Sequence, residues 1–165
     1  LKVKFRESFR PFAPSVLVEQ AANWFDLEDS SPYMLLVANI KSEKRLKQGP
    51  DKQQLFGIDL LNIPRSLVPA VTHVDYSARV QTVHKETNSK FHLLLTRFFE
   101  ETGCPILVNT SFNVRGEPIV CGPRDAFNCF MGTGLDVLVV ENFFLEKSKQ
   151  TTELKRDYRD QYELD

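Results

Sequence analysis

Ile106-Leu107-Val108-Asn109-Thr110-Ser111-Phe112-Asn113-Val114-Arg115-Gly116-Glu117-Pro118 changes character halfway along. From Pro105 to Thr110 the composition is that of a strand. Two hydroxyls (Thr110, Ser111), two carboxamides (Asn109, Asn113), a guanidinium and a glycine stand at its mouth. A helix-length pattern opens at Pro123 and runs to Met131, with proline in its first turn and Gly132 and Gly134 beyond it. Strand, polar loop and helix in succession are an α/β signal, and side chains at strand ends in such proteins line ligand crevices. Thr110, Ser111, Asn113 and Arg115 can together hold phosphate oxygens and polar base or sugar edges. Asn and Ser side chains also stabilise ordinary turns through bonds to their own backbone. Both readings stand on the residues alone.

The other end of the chain supplies cations. Lys2-Val3-Lys4-Phe5-Arg6-Glu7-Ser8-Phe9-Arg10-Pro11-Phe12 sets four positive charges against one carboxylate and interleaves them with phenylalanines. Val3 and Phe5 alternate with Lys4 and Arg6, so a short strand would place both cations on one face. Two cations about 6–7 Å apart suit a di- or triphosphate, with Arg6 offering a planar fork and Lys4 a point charge. A solvated edge strand, charged to prevent pairing, has the same pattern. Arg10 either meets an anion or packs against Phe9 and Phe12.

The chain has 165 residues, 42% hydrophobic and 26% charged, which fits one globular domain. A net charge of −1 and a pI near 6.4 argue against a general nucleic-acid surface, so phosphate recognition must be local. Cys104, Cys121 and Cys129 are odd in number and lack metal-site spacing; free thiols fit a reducing cytoplasm. His73, His84 and His92 lack the spacing of a helical metal pair, and no metal site is assigned. No apolar run has the length of a membrane span. The chain opens at Leu1 without an initiator methionine, as a fragment or processed domain would.

Between the two ends, Ser15 is placed as the cap of a helix over Val16 to Phe25, and Met34 to Ile40 as a buried strand. Lys41 to Pro69 is polar and then broken by Gly57 and Pro64, as a lid, a partner-facing loop or a mobile insert would be. Val71 to Val83 reads as one bent or two short strands. Within it Arg79 requires a partner, either a phosphate or Asp75, because the surrounding strand reads as buried. Thr87 or Asn88 caps a helix that Phe91, Leu94, Leu95, Phe98 and Phe99 bury and Gly103 ends. Pro118 to Cys121 is a short strand candidate, and Val137 to Val140, extending to Leu145, is another. Cys104 and Cys121 are expected as small core residues. Residues 147–165, charged and poor in apolar side chains, read as a frayed helix or mobile tail.

Three blocks carry a resemblance: VKFRESFRPFAPSVL, VDYSARVQTV and ILVNTSFNVRGEPIVCGPRDAFNCFMGTGLDVLVV. In order, they resemble the carboxy-terminal region of the NodU/CmcH-type O-carbamoyltransferases. That region is similar to the YrdC fold, an α/β (α+β) arrangement of a twisted mixed β-sheet flanked by helices. The resemblance implies a YrdC-like domain over residues 1–146 and a charged tail over 147–165. It also implies an amino-terminal actin/Hsp70-like domain absent from this chain.

The family's Lys-x-Arg and Ser-x-Asn signatures fall on Lys4-Phe5-Arg6 and Ser111-Phe112-Asn113. The implied activity is a cytoplasmic carbamoyltransferase of biosynthesis, in which this part forms carbamoyl adenylate from carbamoyl phosphate and ATP. The amino-terminal domain would transfer the group to a hydroxyl of a small molecule. On that basis Lys4, Arg6, Ser111 and Asn113 are the catalytic candidates, and Arg10, Arg79, Thr110 and Arg115 bind substrate, with Mg²⁺ accompanying the ATP. The match departs at Tyr76 and across Lys41 to Pro69. Two further readings stay open: a non-catalytic nucleotide- or RNA-binding module of the same fold, and an interaction domain facing the missing amino-terminal part.

Overall fold

The computed structural model describes residues 4, 9–47, 56–151 and 158. They form an α/β fold of two compact units: Phe9–Thr110, and Ser111–Asp165 together with Leu1–Ser8.

The Phe9–Thr110 unit is built on a four-stranded mixed sheet. Its strands are β1 (Ala13–Leu17), β2 (Leu36–Asn39), β3 (Ser77–Val83) and β4 (Ile106–Asn109), in the order β2-β3-β1-β4. β1 runs parallel to β3 and antiparallel to β4, and β2 is antiparallel to β3. The cross-strand register sorts the side chains onto two faces. Val16, Ala38, Ala78, Val80 and Ile106 share one face and bury it against Ala21 and Trp24 of helix α1 (Val18–Trp24) and the following Phe25. Leu17, Val83 and Leu107 share the other and pack on Phe91, Leu95 and Phe99 of a 14-residue helix, Ser89–Thr102. A single turn, α2 (Ile58–Leu61), precedes that helix, which is therefore α3. Asn88 caps α3 by accepting from the Phe91 N–H at 3.2 Å, and Gly103 ends it at φ +71°, a left-handed position that glycine occupies without strain.

Several expectations need correction here. Ser15 does not cap a helix; it lies inside β1, fully buried, in the middle of the sheet. Pro14 costs the sheet nothing. The Leu17 N–H points at Pro105 on the β4 side, so period-two alternation turns the Pro14 nitrogen toward β3, where pairing starts only at Ser15. β2 is an edge strand rather than a buried one: Leu35 is 80% and Val37 61% exposed. Only Ser77–Val83 of the Val71 to Val83 stretch is strand. The preceding residues form a turn in which Tyr76 takes φ +66° and the Asp75 carboxylate accepts from Ser77 Oγ (2.7 Å) and Ser77 N (3.0 Å).

The insert is tied down on either side of residues 48–55, which lie outside the described residues. Leu46 N bonds Arg65 O and Leu67 N bonds Lys44 O. Lys44 and Arg45 sit over the rings of Trp24 and Tyr76, at 4.6 and 4.8 Å.

The Ser77 hydrogen bonds hold the Asp75 carboxyl below its ordinary value of 3.8. A depressed folded pKa means that this contribution is complete above the unfolded value and is lost as pH falls through the folded one. The Tm difference between wild type and Asp75→Ala should therefore narrow between pH 6 and pH 3. A difference that does not change over that range would contradict the assignment.

The second unit packs α4 (Pro123–Gly132) on a hairpin of β5 (Val137–Val140) and β6 (Phe143–Glu146). The expected extension to Leu145 is thus a second strand, reached through a tight turn with Glu141 at φ +52°. Ala126, Phe130, Met131 and Leu138 form its core, with Leu145 and Val140 against them. Asp125 accepts from the Gly122 N–H at 3.0 Å, meeting one of the helix's unpaired donors. At the other end Lys147 donates to the Thr133 carbonyl and lies 4.9 Å from the Phe130 ring centre. Pro118 to Cys121 forms no strand; only Val120 N bonds back, to Phe112 O. Within residues 147–165 the expectation of a mobile tail fails at Tyr158, which is 4% exposed and packs with Val114 and Cys129.

Candidate functional site

The Ser111–Asn113 turn is built by its own backbone. Val114 to Glu117 closes as a four-residue turn, with Glu117 N bonded to Val114 O at 3.2 Å and Gly116 at φ +77° in its third position. Asn113 Nδ2 donates to the carbonyls of Val114 and Glu117, both at 3.0 Å, and this fixes its amide plane. The amide oxygen is thereby turned away from the turn. Ser111 Oγ donates to that oxygen at 2.7 Å.

Lys4 reaches this turn from more than a hundred residues away. Its ammonium donates to Ser111 Oγ at 2.9 Å, to Asn113 Oδ1 at 2.7 Å and to the Asn113 carbonyl at 2.7 Å. These three acceptors are neutral oxygens that orient the ammonium.

Of the other residues read from the sequence, Arg6 lies outside the described residues, as do Val3 and Phe5 of the expected strand. Arg115 occupies the second position of the turn and is exposed. Arg10, Arg79 and Thr110 belong to the Phe9–Thr110 unit. Arg79 was expected to need a partner because its strand read as buried; instead the side chain is exposed and makes no hydrogen bond or ion pair among the described residues. Asp75, its alternative partner, is engaged by Ser77. Arg10 is exposed and Thr110 half-buried.

Sequence reasoning missed three features. On the sheet, Gln81 Oε1 accepts from Ser15 Oγ and Asn109 Nδ2, both at 2.6 Å, so the last residue of β4 is held by two central strands. In the same unit a cavity of about 400 Å³ is lined by Tyr33, Gln81, His84, Thr87, Asn88 and Phe91, among others. In the other unit, Glu117 Oε2 accepts from the Val114 N–H at 2.9 Å. Burial pushes the Cys129 thiol up to about 12; the Glu117 carboxylate acts in the same direction, and the Lys4 ammonium opposes them. Cys104 is half-buried, whereas Cys121 is exposed and not the core residue it was expected to be. Among the described residues no group of three His, Cys, Asp or Glu side chains is arranged for a metal, and no helix is long and apolar enough to cross a membrane.

The family described as "Carbamoyltransferase C-terminus" matches residues 1–147, and the chain belongs to it. Among its relatives, "Uncharacterized protein sll1178" of Synechocystis sp. is 58% identical over 166 residues, covering 100% of this chain and 27% of that protein. Nodulation protein NolO of Bradyrhizobium diazoefficiens is 39% identical over 148 residues, 88% of this chain and 23% of the relative. The 3'-hydroxymethylcephem-O-carbamoyltransferase of Amycolatopsis lactamdurans is 30% identical over 148 residues, 90% of this chain and 24% of the relative. The chain thus spans about a quarter of the length of the curated relatives it matches.

Proposed function

We propose that this domain activates the carbamoyl group of an O-carbamoyltransferase, forming carbamoyl adenylate from carbamoyl phosphate and ATP. The acceptor would be a small-molecule hydroxyl, as the name of the cephem relative indicates for that protein, and the transfer would occur in the part of the polypeptide outside this chain. One observation carries the reading: the Lys4 ammonium is bonded to both Ser111 and Asn113, two residues on which the family's signature falls.

The balance of atoms sets what the site must do. Carbamoyl phosphate yields phosphate and carbamate on hydrolysis, and a carbamate oxygen then attacks the α-phosphorus of ATP. A new P–O bond forms there, and the bond to pyrophosphate breaks. Such displacements depend mainly on positioning and on neutralising charge as it moves onto non-bridging and leaving oxygens. Lys4 supplies the charge. Ser111 Oγ can donate to a phosphoryl oxygen once it exchanges Asn113 Oδ1 for the substrate. The Asn113 amide offers both donor and acceptor, which mirrors a carbamoyl group. Arg6 and Arg115 would add phosphate contacts. Mg²⁺ would enter with the ATP phosphates. No covalent nucleophile is needed.

Carbamoyl-phosphate-dependent exchange of labelled pyrophosphate into ATP tests this directly in the full-length protein. Exchange that requires carbamoyl phosphate supports the reading. Nucleotide binding without exchange would indicate a binding module instead. Neither binding nor exchange would leave an interaction domain.

A further inference from the structure

We infer that Glu117 is a positioning residue: its carboxylate and carbonyl hold the Ser111–Asn113 turn in the one arrangement that presents Asn113 to the Lys4 ammonium. The inference rests on the reading of Lys4, Ser111 and Asn113 as the substrate site, and it assigns a role to a residue that no signature includes.

Three bonds make the case. Glu117 Oε2 accepts from the N–H of Val114, the residue next to Asn113. The Glu117 carbonyl accepts from Asn113 Nδ2. The Glu117 N–H closes the turn on the Val114 carbonyl. One residue therefore grips Asn113 by its side chain and by its following peptide, and Gly116 at φ +77° lets the chain fold back far enough to do so. With Nδ2 committed to Glu117 and Val114, the amide can only turn Oδ1 toward Lys4 and Ser111. A fully buried Val114 completes the anchor, packed with Cys129 and Tyr158.

A carboxylate beside an anion site weakens substrate binding unless geometry compensates. Here the geometry is specific: the carboxylate accepts from the Val114 N–H, so its role is to hold the turn. Glutamine retains an acceptor oxygen of the same reach, and alanine does not.

The test uses the full-length protein with Glu117→Ala and Glu117→Gln. Glu117→Ala should lower kcat/KM for carbamoyl-phosphate-dependent exchange about 30-fold, mainly in kcat, because Lys4 still attracts the substrate. Glu117→Gln should recover at least about a third of the wild-type value. Glu117→Ala within twofold of wild type, or Glu117→Gln as impaired as Glu117→Ala, overturns the inference. A crystal structure of the full-length Glu117→Ala protein separates this from the function itself. Asn113 Oδ1 should leave hydrogen-bond reach of Lys4 Nζ; if it stays, Glu117 does not position it, whatever the exchange assay reads. Absence of exchange in the wild type would overturn the activating function alone, and the crystal structure would still decide the role of Glu117.

Discussion

Lys4→Ala should reduce carbamoyl-phosphate-dependent pyrophosphate exchange at least about 100-fold, with the folded state retained. Removing one preorganised electrostatic donor from a phosphoryl or acyl transfer site typically costs 10²–10³ in rate, about 3–4 kcal/mol. Among the described residues Lys4 is the one cation bonded to both signature residues, so the full penalty is expected here. Lys4→Arg should not restore activity beyond about a tenth, because a planar fork cannot direct three donors at Ser111 Oγ, Asn113 Oδ1 and the Asn113 carbonyl as an ammonium does. Circular dichroism should be unchanged in both variants. Exchange in Lys4→Ala within threefold of wild type would remove the site assignment.

The second large effect lies behind the site, at the end of α4. A Cβ added at Gly132 would come within 2.1–2.4 Å of three ring atoms of Tyr158, far inside van der Waals contact. Gly132→Ala should therefore destabilise the protein by about 1–3 kcal/mol, the usual cost of overpacking a close contact. Tyr158→Ala should cost about 3 kcal/mol through the cavity it leaves. The double variant gives the sharper result. Once the ring is gone, the three nearest clashes vanish and alanine is a better helix former, so the penalty of Gly132→Ala should shrink toward zero. A double-mutant cycle with additive penalties would contradict the packing. Tyr158 also touches Val114, the neighbour of Asn113, so Gly132→Ala should lower exchange activity beyond its loss of folded protein.

Tyr158 also shows where sequence reasoning ran out. Tyr158 and Tyr162 stand among charged residues, and nothing in 147–165 marks which of them returns to a core. β1 was hidden for a related reason. Ala13-Pro14-Ser15-Val16-Leu17 contains a proline and a serine, and its burial comes from a central place in the sheet between α1 and α3 rather than from an apolar run. β2 erred the other way: Leu35, Leu36 and Val37 in succession look buried, but an edge position leaves that run mostly in solvent.

Elements that carry their own punctuation were legible. α3 had Asn88 to start it and Gly103 to stop it, and α4 had Pro123 in its first turn. Ser111 and Asn113 were visible as chemistry at a strand end, but the turn and the site read alike until the resemblance paired them with Lys4. Contact across more than a hundred residues leaves no local pattern. Glu117 was invisible as well, since a glutamate after Arg-Gly reads as turn surface, and its role exists only through its bonds to Val114 and Asn113.

The central claim is that Lys4, Ser111 and Asn113 form one phosphoryl-binding site, and a crystal structure of the full-length protein with a non-hydrolysable carbamoyl-adenylate analogue tests it most directly. The account predicts an α-phosphate oxygen within hydrogen-bond distance of Lys4 Nζ and Ser111 Oγ, with the Asn113 amide facing the carbamoyl end. An analogue bound elsewhere, with the Lys4–Asn113 bond undisturbed, would contradict it.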